Sequence, residues 1–96
     1  MQPINDDSNH KSLLKRSEEL ISLCKYKEAL KVLNRVIKVN SNAQAWNNKG
    51  QALLFLGRYK ETIECCDRAI KLNPRNYEPW YNKGFTLADL GEYEDA

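Results

Sequence analysis

Apolar side chains along this chain recur at three- and four-residue steps, the period of an amphipathic helix. In the middle of the sequence Trp46, Lys49, Gly50, Leu53 and Leu56 follow that spacing and then meet Gly57, a helix stop. A second stripe follows, built from Tyr59, Thr62, Ile63, Cys66, Ala69, Ile70 and Leu72 and closed by Asn73-Pro74. Pro74 lacks the amide hydrogen a helix needs and biases Asn73 towards an extended shape. Gly50 and Ala69 are small, as close approach of two helices requires. Read through the whole chain, the pattern predicts helices over Asn9–Leu23, Tyr26–Asn40, Ala43–Leu56, Tyr59–Asn73 and Glu78–Leu90, and no strand.

The stripes repeat. Trp46-Asn47-Asn48-Lys49-Gly50 returns as Trp80-Tyr81-Asn82-Lys83-Gly84, 34 residues later, and Leu56-Gly57-Arg58-Tyr59 returns as Leu90-Gly91-Glu92-Tyr93 at the same offset. Self-similarity at a fixed period marks a stacked-repeat architecture. A fainter copy stands upstream at an offset of 33: Leu23-Cys24-Lys25-Tyr26 answers the turn, and Val36-Ile37-Lys38-Val39-Asn40 answers Ala69-Ile70-Lys71-Leu72-Asn73. The missing residue falls between Asn40 and Trp46, in a linker, where a deletion need not rotate a buried face.

Trp46, Gly50, Leu53, Gly57, Tyr59, Ala69 and Pro74 resemble the tetratricopeptide signature. The resemblance covers residues 10–96, as repeats at about 10–42 and 43–76 and a partial one at 77–96, behind an N-terminal segment, 1–9, expected to be flexible. There are departures. Lys49 and Lys83 stand where Leu is usual, Thr62 replaces a small Ala, and Cys66 replaces an aromatic. In the first repeat Leu13 stands for Trp, Ser17 for Gly and Cys24 for the turn glycine. The resemblance implies an all-α fold, a right-handed α-solenoid of antiparallel helical hairpins. In it the first helix of each hairpin lines a concave face.

It also implies which side chains face inward. They are Gln44, Asn47, Asn48, Gln51, Leu54 and Phe55 in the middle repeat, and Glu78, Tyr81, Asn82, Phe85 and Asp89 in the last. Lys11, Leu14, Lys15, Glu18 and Ile21 are their counterparts in the first. Of these, Asn47, Asn48, Gln51, Leu54, Tyr81, Asn82 and Phe85 are the candidate peptide-binding residues. The amides can both donate to and accept from a peptide backbone. Leu54, Tyr81 and Phe85 offer the apolar and aromatic area where binding energy concentrates. Asn48 and Asn82 have an alternative use, a bond to the neighbouring helix, and Trp46 and Trp80 read as packing residues. The expected partner is therefore a protein or peptide segment on the concave face.

Some tetratricopeptide domains hold acidic C-termini through a clamp of Lys and Asn with a further Lys and Arg. Here Asn47 and Gln51 occupy the first two clamp positions after Trp46, and a reading from the first repeat gives Leu14, Glu18, Glu78 and Asn82. The cations are missing, so carboxylate capture is not expected. Lys27, Lys31, Arg35 and Lys38 do form a basic stripe on one helix. It reads as a solvated outer face, with an acidic partner as the alternative, and no aromatic residue interleaves it as single-strand binding would need.

Composition narrows the remaining classes. The formal net charge is +2 in 96 residues, too little to argue for nucleic acid, and no apolar run is long enough for a signal peptide or a membrane span. Cys24, Cys65 and Cys66 form no C-x-x-C pair, and His10 is the single histidine, so no metal site is expected. Unpaired thiols without a leader point to the reducing cytoplasm. No phosphate loop or nucleophile–base pair occurs, so neither catalysis nor a cofactor is expected. Glu92 to Ala96 match only the start of another outer helix, leaving Trp80, Leu87 and Leu90 without a cover. The sequence therefore predicts either a fragment of a longer array or self-association through this end.

Overall fold

A computed structural model describes the backbone of residues 6–95 and the side chains of residues 11–91. Five helices follow one another: α1 (Asp6–Ser22), α2 (Tyr26–Val39), α3 (Ala43–Phe55), α4 (Tyr59–Leu72) and α5 (Tyr77–Asp95). No strand occurs among the described residues. Each helix packs on its successor, and α1 also touches α3 while α3 touches α5. No such contact joins α2 to α4. Helices in contact lie on the inside of a curved stack and splayed ones on the outside, so α1, α3 and α5 form the concave layer. No described helix is long and apolar enough to cross a membrane.

The turns repeat as the sequence does. At the end of α3 the Arg58 amide donates to Leu53 O at 2.9 Å and the Gly57 amide to Leu54 O at 3.0 Å. At the end of α1 the Lys25 amide donates to Leu20 O at 2.8 Å and the Cys24 amide to Ile21 O at 3.0 Å. Both are the paired bonds of a left-handed helix C-terminus, and Gly57 and Cys24 take the positive φ it demands, 77° and 61°. Asn42 caps α3, its side chain accepting from the Ala45 amide at 2.7 Å.

Small residues set the helix approaches. Ala29, Ala45, Ala52 and Ala69 are fully buried, with Leu20, Leu33, Val36 and Leu53 filling the space between them. Gly50 lies against α4 so closely that a Cβ there would come 3.3 Å from Cys65 Cβ. Ser17, its counterpart in the first repeat, is fully buried and turns its hydroxyl back to Leu14 O at 2.6 Å.

Two helix ends differ from the pattern. α1 begins at Asp6 rather than Asn9, within a polar stretch that has no hydrophobic period to mark a start. Residues 1–5 of the expected flexible segment lie outside the described residues, and position 10 falls within α1, its side chain undescribed. α5 does not stop at Leu90 but runs helically through Gly91 to Asp95. The reversal at Gly57 is held by α4 folding back onto α3. Nothing described packs on that face of α5, and continuing the helix adds a hydrogen bond per residue without the cost of a turn.

Candidate peptide-binding groove

The inner helices meet through an amide network. Asn48 is buried in α3 and donates from Nδ2 to Glu18 Oε2 at 3.2 Å and Ser17 Oγ at 3.4 Å, both on α1. Its Oδ1 accepts from Gln44 Nε2 at 2.8 Å. Asn82 repeats the move one helix on, donating to Asn47 Oδ1 at 3.3 Å. Each asparagine two residues after a tryptophan thus reaches back to the preceding inner helix. Asn47 is wholly buried, and its Nδ2 has no hydrogen-bond partner among the described residues. An orphaned buried donor of this kind costs about 1–3 kcal/mol.

The candidate residues therefore divide. Asn47 and Asn48 lie between helices and do not reach the concave surface. Gln51, Leu54 and Asn82 are half-buried, while Tyr81 is 68% and Phe85 49% exposed. Tyr81 and Phe85, one turn apart on α5, stack with ring centroids 6.5 Å apart. Phe55, at the far end of α3, is also exposed and stacks on Tyr26 of α2 at 5.0 Å.

Two depressions mark this surface. One, of about 450 Å³, lies where α1 turns into α2, with Glu18, Tyr26, Gln51 and Phe55 in its wall. The other, of about 330 Å³, lies between α3 and α5, walled by Gln51, Tyr77, Glu78, Tyr81 and Asn82. Gln51 belongs to both, so the two adjoin at α3. Leu54 lines neither. Glu18, Phe55 and Glu78 were legible as inward positions. Tyr26 and Tyr77 were not: one opens an outer helix and the other precedes the expected start of α5, and periodicity within a helix says nothing about its first residue.

The departures from the repeat signature have local uses. Lys83 pairs with Asp67 of α4 at 2.7 Å. Lys49 and Arg68 stand over the Trp46 ring, 5.4 and 5.0 Å from its centroid, a cation–π arrangement that joins α3 to α4. Thr62 is fully buried and returns its hydroxyl to Arg58 O at 2.9 Å. Cys65 and Cys66 are buried against α3, and burial pushes both thiols up to about 11. The basic stripe of Lys27, Lys31, Arg35 and Lys38 is exposed along α2, away from the groove.

Tetratricopeptide-repeat family models match residues 43–76 and 65–96, together spanning 43–96. No curated protein matches the chain. Among solved structures it is similar to the second TPR of Spaghetti (RPAP3) bound to an HSP90 peptide, SRMEEVD. The two share 23% identity and superpose with a TM-score of 0.83 over 91% of this chain and 83% of that one. At this identity the likeness speaks for the fold.

Proposed function

The chain belongs to the tetratricopeptide-repeat family, and we propose that it is a binding module, not an enzyme, that takes an extended segment of a partner protein along its concave face. The observation that carries this reading is the run of aromatic and amide side chains on the inner layer: exposed Phe55 and half-buried Gln51 on α3, then exposed Tyr81 and half-buried Asn82 on α5, with exposed Phe85 stacked on Tyr81. A folded surface seldom leaves several aromatic rings in water along one groove without a use for them. The similar Spaghetti domain holds a peptide, which supports the same use of the fold here. Asn47 and Asn48 serve as spacers between helices in this reading, and Leu54 has no part in the groove walls. The unpaired thiols favour the cytoplasm as its compartment.

Peptides displayed from a random library and selected on the immobilised chain test the reading. Tyr81→Ala and Phe85→Ala, both at exposed positions, should each weaken the selected peptides by about tenfold, the loss typical of an aromatic anchor. Selected peptides that bind both variants as well as the unaltered chain would overturn it.

A second reading, assembly through the last helix, has its own observation. Leu53 of α3 is 1% exposed beneath α4, whereas its repeat counterpart Leu87 is 49% exposed. Gly84 has open space where Gly50 has α4. This outer face of α5 copies one that already binds a helix, and a further repeat or a second copy of the chain would cover it. Sedimentation across a concentration range reads it: association lost in Leu87→Lys supports it, and a monomer throughout removes self-association.

A further inference from the structure

We infer that the partner segment is basic: the groove binds an extended stretch that presents Lys or Arg side chains between apolar ones. The inference rests on the groove being the binding face. Each of its two depressions sets one carboxylate among aromatic rings, Glu18 with Tyr26 and Phe55 in the first, Glu78 with Tyr77 and Tyr81 in the second. No lysine or arginine lines either one. The chain as a whole carries a net +2, so this is a local reversal of sign and not a reflection of bulk charge. The inward-pattern cations, Lys11 and Lys15, stand on α1 outside both walls.

An aromatic face with a carboxylate at its edge is suited to a cation. The ring quadrupole attracts the charge, the carboxylate pairs with it, and the aliphatic stem of Lys or Arg lies along the ring. Glu18 spends one oxygen on Asn48 Nδ2, which fixes the carboxylate at the groove wall with its other oxygen free to pair. Among the described residues neither Glu18 nor Glu78 is in an ion pair. Gln51, shared by both walls, can bond the peptide backbone between the two side chains. An acidic segment would instead bring like charges together at both depressions with no cation to offset them.

Fluorescence anisotropy with two labelled peptides tests this, one of repeated Ser-Leu-Lys and one of repeated Ser-Leu-Glu. The Lys peptide should bind about tenfold more tightly or better, and its affinity should fall as salt rises. Glu18→Gln and Glu78→Gln should each weaken it by about threefold, and Glu64→Gln on the outer surface should leave it unchanged. Equal or tighter binding of the Glu peptide overturns the inference, as does loss in Glu64→Gln equal to that in the groove variants. The groove reading itself fails by a different result: library-selected peptides, whatever their charge, that ignore Tyr81→Ala and Phe85→Ala.

Discussion

Cys24 holds its backbone at φ 61°, in the left-handed region where the equivalent turn of the next repeat uses Gly57 at 77°. A side chain there crowds the following carbonyl and costs about 1–2 kcal/mol. Part of that is offset because glycine loses more freedom on folding. Cys24→Gly should therefore raise the urea midpoint by a stability gain of about 0.5–1 kcal/mol, and a midpoint that falls would mean the thiol makes a contact worth more than the strain. Cys24 is exposed, while Cys65 and Cys66 are buried with their thiols pushed up to about 11. Iodoacetamide at mildly alkaline pH should then label one cysteine per folded chain and three only after denaturation, as mass spectrometry would count. Asn48 illustrates what sequence alone left open. Its place two residues after Trp46 fitted either a ligand contact or a helix contact, and the choice depends on where α1 lies, which no spacing within α3 encodes. Because Asn48 bonds Ser17, Glu18 and Gln44, Asn48→Ala should cost about 1–3 kcal/mol in chemical unfolding. A stability left unchanged would contradict the structural role.

At the scale of elements, α3 and α5 are near-copies in different settings. Gly50 faces Cys65 Cβ at 3.3 Å, a contact that a new methyl would tighten against the backbone-fixed part of α4. Gly84 faces nothing within 4 Å. Alanine favours a helix over glycine by about 1 kcal/mol. Gly84→Ala should gain about that much, and Gly50→Ala should lose stability because helix displacement outweighs the same gain. Thermal melts of the two variants side by side check it, and an equal gain in both would show that α4 yields freely. The same contrast explains which helix ends could be read in advance. The ends of α2, α3 and α4 lie within one residue of the pattern because Gly57, the Asn73-Pro74 pair and the Leu/Val stripes act locally. Gly91 looks identical to Gly57 in sequence, yet α5 passes through it. A glycine permits a turn, but a packed outer helix makes it worth taking, and that second condition is tertiary.

For the whole molecule, the repeat places chemistry by layer. The outer helices carry the exposed cations of α2, the cation–π contact at Trp46 joins α3 to α4, and the inner helices carry the amides and carboxylates of the groove and all its aromatic rings but Tyr26. The hairpin order was legible from the 34-residue offset, and so was the general inward register of α3 and α5. What escaped was how the groove is completed by residues at helix starts, Tyr26 and Tyr77, and how the buried amide of Asn47 withdraws from it. The most direct test of the concave-face account is a backbone amide NMR titration of the intact chain with a library-selected peptide. The account predicts shift changes concentrated at Gln51, Phe55, Tyr77, Tyr81, Asn82 and Phe85, with the outward positions of α2 and α4 undisturbed. Changes centred on Lys27, Lys31 and Arg35, or on Trp80 and Leu87, would contradict it.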